Sequence, residues 1–144
     1  MTQGSDDEAL ERALTLHLAA DLRANLQRRL VVAYSGGADS TALLLSLAAV
    51  RPWPACRVLA FHFNHRLHPD SAAWVTHCRG ICAQLDVPLI VAEAADAPAA
   101  GDSVEAWART ARYAALAREL GPDDLALTAH HRDDLAETLL LMAL

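Results

Sequence analysis

Seven consecutive residues carry the densest chemistry in this chain, Ser35-Gly-Gly-Ala-Asp-Ser-Thr41. The hydroxyls of Ser35, Ser40 and Thr41 can donate to phosphate oxygens. Gly36 and Gly37 permit positive φ and leave no Cβ in the path of an anion. The string follows Leu30 to Tyr34, an apolar run with the length and β-branched content of a buried strand. It precedes Ala42, Leu43, Leu44, Leu45 and Leu47, which open a helix. A glycine turn between a strand end and a helix N-terminus, here including Ala38, points several backbone N–H groups at one spot. The helix dipole adds positive potential there. The string therefore reads as a phosphate site. Asp39 repels phosphate and makes sense as a Mg2+ ligand beside it. The competing reading is that Asp39 and Ser40 only satisfy the first helical turn. The common nucleotide motifs do not fit. Gly-x-x-x-x-Gly-Lys-Ser/Thr needs a lysine, and the chain contains none; Gly-x-Gly-x-x-Gly is absent as well.

The elements that must position this loop alternate along the chain. Residues 6–29 read as an amphipathic helix, with Leu10, Leu14, Leu18, Leu22 and Leu26 every four residues and Arg28-Arg29 at its end. A helix over about 39–50 stops at Pro52-Trp-Pro54. Arg57–Phe63 is the second strand and leads into a histidine-rich loop, Asn64-His-Arg-Leu-His-Pro-Asp70. Asp70 or Ser71 caps a helix over about 71–85. Leu89–Glu93 is a third strand, followed by a loop of small residues. A strong helix over 103–120 is stopped by Gly121-Pro122. Asp124–Ala129 is a fourth strand. His130 to Thr138 follow, and Leu139–Leu144 is expected to continue as a helix. This alternation predicts an α/β fold, a Rossmann-like parallel sheet with helices on both faces. Ligands in such sheets bind beyond the carboxyl ends of the strands. Ser35, His62–His65, Glu93 and His130–Asp134 all fall on that edge.

Length and composition bound the rest. The chain has 144 residues and reads as one domain at most. It is 53% hydrophobic with a mean hydropathy of +0.16, so it can bury a core and is not disordered. No apolar run has membrane-spanning length, and the acidic, polar start from Met1 to Glu8 is unlike a signal peptide; a cytoplasmic location is expected. Cys56, Cys78 and Cys82 form no disulfide framework and read as reduced thiols. A metal shared by His77, Cys78 and Cys82 is disfavoured by their spacing. The net charge of −6 argues against this segment alone gripping a nucleic-acid backbone. All twelve basic residues are arginine, which offers bidentate phosphate contacts.

Four separated segments carry one resemblance. Ser35-Gly-Gly-Ala-Asp-Ser40 resembles the PP-loop of the ATP pyrophosphatases, which have an adenine nucleotide alpha hydrolase-like fold and cleave ATP between the α- and β-phosphates. Together with Phe63-Asn-His-Arg-Leu67, Glu105-Ala-Trp-Ala-Arg-Thr-Ala-Arg-Tyr113 and Thr128-Ala-His-His-Arg-Asp-Asp-Leu-Ala-Glu-Thr138, it is similar to the catalytic domain of the tRNA(Ile)-lysidine synthetase family. Ala73-Trp-Val-Thr-His-Cys78 and Val87-Pro-Leu89 add to the likeness, which covers nearly all of the chain after residue 29. The leucine spacing makes residues 1–29 an expected helix packed on the domain, and the resemblance implies 30–144 as a PP-loop ATP-binding catalytic domain. It implies ATP and Mg2+ as cofactors. The implied partners are tRNA(Ile) with a CAU anticodon and free lysine, with no membrane and with a homodimer as a further arrangement. The implied activity adenylates the wobble cytidine at its C2 oxygen and then joins lysine to C2.

That chemistry assigns roles to residues. Charge on leaving pyrophosphate demands cations. Asp39 and Asp134 are the expected metal ligands, each at a strand-to-helix junction; helix capping is the alternative for Asp134. Arg109 and Arg112 lie three apart on one helix face and can hold ATP or RNA phosphate if that face meets the site. Otherwise they lie on a solvated face. His130, weakly preferred over His131, can donate to a phosphate. Glu137 can orient an arginine or receive the ammonium of lysine. His65 belongs to the family's histidine loop and helps shape the site, whereas His62 and His68 read as ordinary partly buried or surface histidines. Adenine is expected near Ala33 and Phe61–Phe63.

The chain departs from the family at Asn64, where an acidic residue is usual. It also stops at Leu144, where family members continue into a Gly-rich segment and C-terminal tRNA-binding domains. A fragment is therefore expected, with the basic RNA grip elsewhere. Two alternatives keep the phosphate loop. A tRNA thiolase of the same superfamily generally carries Cys-x-x-Cys, which is absent here. An adenine-nucleotide sensor would not need Asp39, Asp134 and Glu137 together.

Overall fold

A computed structural model describes residues 8–9, 28–49, 57–129 and 139–143. The expected helix over 6–29 therefore lies almost wholly outside the described residues, as do His130, His131, Asp134 and Glu137. The elements run β1 (Leu30–Ala33), α1 (Ala38–Ala49), β2 (Val58–Asn64), α2 (Ser71–Gln84), β3 (Leu89–Glu93), α3 (Val104–Glu119), β4 (Leu125–Ala129) and β5 (Leu139–Ala143).

The strands form one sheet in the order β3-β2-β1-β4-β5. β1 pairs in parallel with β2 and β4, and β2 pairs in parallel with β3. The chain moves outward from β1 to β3, then returns through α3 to the far side of β1. A right-handed crossover made in the opposite direction places its helix on the opposite face. Period-two alternation along the strands shows the consequence. Leu30, Val32 and Tyr34 pack with Leu43, Leu44 and Leu47 of α1 and Cys78 and Cys82 of α2. Val31, Leu59, Phe61 and Phe63 pack with Ala115 and Leu116 of α3. The parallel sheet and its two helical layers agree with the sequence expectation.

The end of the chain does not. Leu139–Ala143 forms a strand antiparallel to β4, from Leu125↔Ala143 to Ala129↔Leu139, rather than a helix. A short apolar run carries no period that separates strand from buried helix. The outer edge of β4 supplies N–H and C=O groups that a strand can pair and a helix cannot.

Local sequence explains the element ends. Ser103 caps α3, its side chain accepting the Ala106 N–H at 3.3 Å. Asp70 stands at the N-cap of α2 but makes no side-chain cap bond. α2 ends with Asp86 at φ +54, and the Val87 N–H returns to the Cys82 carbonyl at 2.9 Å before Pro88. Ahead of β1, Arg29 clamps the start of β4. Its Nε and Nη2 donate to Asp124 at 3.1 and 2.6 Å, while its carbonyl accepts the Leu125 N–H at 3.0 Å. That guanidinium holds the Asp124 carboxyl below its ordinary range, against the opposing effect of burial.

Candidate active site

β1 runs straight into the loop. The Tyr34 N–H still donates to Phe61 at 2.7 Å, extending the sheet by one residue. The chain then turns at Gly36, φ +83, and α1 begins at Ala38. Ser40 closes the turn: the Ser35 N–H donates to its Oγ at 3.2 Å, and the two hydroxyls lie 2.9 Å apart. The Gly37 N–H donates to Ser35 Oγ at 3.2 Å. Thr41 Oγ1 meets the Tyr34 hydroxyl at 3.1 Å, and its N–H reaches the Gly37 carbonyl at 3.0 Å. Each serine hydroxyl has one proton and two lone pairs, so the pair can re-aim toward an incoming oxygen.

The glycines differ in what they answer to. A Cβ on Gly36 would lie 2.8 Å from Cys78 Sγ and 2.9 Å from Trp74 Nε1. Gly36 is thus required by its backbone angle and by the close approach of α2. A Cβ on Gly37 would meet only Ser35 Oγ, at 3.4 Å, leaving open space on that side.

Two side chains hold the carbonyls that precede the turn. His62 Nδ1 lies 2.9 Å from the Tyr34 carbonyl, which places a proton on that nitrogen. The Trp74 indole N–H donates to the Ser35 carbonyl at 2.7 Å. Its ring stacks on His77 with centroids 4.9 Å apart. Sequence reasoning set His62 aside and gave Trp74 no role. The signals were positional. His62 falls in period-two register with Val58 and Ala60, beneath the loop. Trp74 continues the four-residue stripe of Cys78 and Cys82, both buried.

Beyond the strand ends lies a cavity of about 810 Å³. Ala33, Ser35 and Ser40 reach it from β1 and the loop, Phe61 to Leu67 from β2 and its turn, and Thr128 and Ala129 from β4. Glu105, Ala108, Arg112 and Tyr113 of α3 close the other side. The two arginines are thereby separated. Arg112 lines the cavity, whereas Arg109 is exposed and outside it; both guanidinium carbons lie over the Tyr113 ring, at 5.3 and 5.6 Å. Glu93 opens instead onto a second hollow beside α3.

The electrostatics of the cavity follow from this packing. Burial lowers the His65 imidazole below its ordinary value. The charge of Arg112 and the nearby His62 push the same way, against a hydrogen bond with the Ala108 backbone. His65 is also held edge-on to Phe63, 5.1 Å between centroids. Asn64, standing where an acid is usual, accepts the Arg66 N–H at 3.0 Å and fixes a turn in which Arg66 takes φ +62. Asp39 is half-buried in the first turn of α1. Among the described residues no group of three or more His, Cys, Asp or Glu could hold a metal. A Mg2+ ion held by one or two carboxylates and by substrate phosphates asks for no such group, so Asp39 fits one. Cys78 and Cys82 belong to the core; burial raises both thiols, Cys82 to about 11, aided by Cys78. No helix among the described residues is long and apolar enough to cross a membrane.

A parallel sheet with a glycine loop at the carboxyl end of its central strand, opening onto such a cavity, defines an α/β nucleotide-binding domain. Within that class the chain belongs to the PP-loop domain family, whose model matches residues 8–144. It is 46% identical over 114 residues to tRNA(Ile)-lysidine synthase of Xanthomonas campestris, covering 79% of this chain and 26% of that one. The synthase of Shigella flexneri is 46% identical over 115 residues, with the same coverage of each. That of Actinobacillus succinogenes is 41% identical over 128 residues, 88% of this chain and 30% of the relative. The chain thus spans between about a quarter and under a third of the length of these relatives. Among solved structures, an NH3-dependent NAD synthetase from Campylobacter jejuni has the same fold. Its TM-score is 0.57 at 14% identity, covering 84% of this chain and 55% of the other.

Proposed function

We propose that this chain forms the ATP-handling part of a cytoplasmic ligase that joins lysine to the wobble cytidine of CAU-anticodon tRNA(Ile). One observation carries the reading. All four segments that resemble the lysidine synthetase family contribute to the same cavity, through Ser35 and Ser40, His65, Arg112, and Thr128 with Ala129. Identity above 40% to curated synthases supports the same substrate class.

In this reading Ser35, Ser40 and the loop N–H groups bind the ATP phosphates, with adenine against Ala33 and Phe61–Phe63. Asp39, with Asp134, would hold Mg2+, whose charge favours departure of pyrophosphate. Arg112 faces the same anion and stabilises charge as it develops. The cytidine C2 oxygen attacks the α-phosphorus and pyrophosphate leaves. The lysine ε-amine then attacks C2, and AMP leaves with the oxygen. His65, kept neutral by burial and by Arg112, adds no competing charge. His130 serves as a phosphate donor and Glu137 as the ammonium acceptor. The buried, hard-to-ionise Cys78 and Cys82 argue against sulfur transfer through these thiols.

The test uses the full-length protein with ATP, Mg2+, radiolabelled lysine and unmodified CAU-anticodon tRNA. Stable, ATP-dependent label on the RNA is expected once ester-labile label has been removed. Bound ATP with no stable label would overturn the ligase reading in favour of thiolation or nucleotide sensing.

A further inference from the structure

The tryptophan at the mouth of the cavity is unusual for its size. Trp74 is 46% exposed, yet its indole N–H makes a 2.7 Å bond to the carbonyl of Ser35. The same ring covers Gly36, approaching to 2.9 Å of where a Cβ would stand, and Trp74 also lines the cavity. His77, one turn away, stacks against it with the ring planes 28° apart. The ring is therefore held in one orientation by contacts that do not depend on a ligand.

The peptide plane it grips matters to an anion. The bond between Ser35 and Gly36 carries a carbonyl at one end and the Gly36 N–H at the other. In a trans peptide these point in opposite directions. Fixing the Ser35 carbonyl toward Trp74 on α2 directs the Gly36 N–H away from α2 and removes a negative dipole end from the phosphate position. His62 does the same for the preceding carbonyl of Tyr34. We propose that Trp74 is a positioning residue that sets the phosphate loop in its anion-binding orientation before ATP arrives, and that its emission reports loop occupancy. This rests on the phosphate-binding role given to the loop above.

The experiment compares wild-type full-length protein with Trp74→Phe, which keeps an aromatic ring over Gly36 but has no N–H to donate. ATP binding is measured by calorimetry with Mg2+, together with the KM values for ATP, lysine and tRNA. Loss of one hydrogen bond to the loop should weaken ATP binding about fivefold to tenfold. The KM for ATP should rise in step, with those for lysine and tRNA unchanged. A merely structural residue would lower the melting temperature and shift all three constants together. In a background where every other tryptophan of the full-length protein, Trp53 and Trp107 among them, is replaced by phenylalanine, Trp74 is the sole indole, and inorganic pyrophosphate should change its emission saturably. That arm needs no substitution at Trp74. Unchanged ATP affinity in Trp74→Phe, or emission indifferent to pyrophosphate, would overturn the proposal. Failure of the wild-type protein to bind ATP would instead overturn the reading of the loop itself.

Discussion

Gly36→Ala separates two costs that the structure assigns to one position. The first is backbone. At φ +83 an L-residue brings its Cβ against the following carbonyl, which costs about 1–2 kcal/mol. The second is packing. The new methyl would lie 2.8 Å from Cys78 Sγ, a fully buried atom, and 2.9 Å from Trp74 Nε1. Trp74, half-exposed, can yield only by giving up its 2.7 Å bond to Ser35, and the buried Cys78 cannot yield. Overpacking of this kind costs roughly 1–3 kcal/mol. The sum is a destabilisation of about 2–5 kcal/mol. Urea unfolding followed by circular dichroism measures it, with Gly37→Ala as the control, since Gly37 has no positive φ and no contact closer than 3.4 Å. The control should change stability by no more than about 1 kcal/mol in either direction. Adding Cys78→Ala should couple favourably with Gly36→Ala by about 1 kcal/mol, because it removes the clash and leaves the backbone cost. Equal effects at Gly36 and Gly37, or zero coupling to Cys78, would refute the reasoning.

Two further outcomes follow from the charges. Asp124→Asn should lower stability by about 1–2 kcal/mol at pH 7, by weakening the bonds from Arg29 and Gly121. Because the folded Asp124 pKa is depressed, this contribution is present above its unfolded value of 3.8 and lost as pH falls through the folded one. Urea midpoints at pH 7 and pH 3 should therefore differ more for wild type than for the variant. Arg112→Gln should weaken ATP or tRNA binding about tenfold, against less than about threefold for Arg109→Gln outside the cavity. It should also raise the His65 midpoint followed by NMR, since Arg112 is one cause of its depression.

The phosphate loop, the strand-helix alternation and the placement of polar residues at strand ends were legible because each is local. Glycines between a β-branched run and a leucine-rich helix declare a turn wherever they occur. The continuous apolar run of β1 likewise predicts a strand covered by helices on both faces. The site was legible only in part. Arg109 and Arg112 are equivalent in sequence, three residues apart on one helix. The rotation of α3 over the sheet, set by Ala115 and Leu116 packing against Phe61 and its neighbours, brings one to the cavity and leaves the other in solvent.

The same limit governs the remaining differences. The residues 139–143 are a helix or a strand according to what lies beside them, and the open edge of β4 made them a strand. His62 reads as one more histidine until the pairing of β2 with β1 sets it under the Tyr34 carbonyl. Trp74 lies 39 residues from the loop whose carbonyl it holds. The sequence by itself determined the chemistry available and the local turns that present it, because hydrophobic period and backbone preference act over a few residues. Only the tertiary structure decided which side chains share a cavity, because that depends on register and helix rotation set by packing between distant segments.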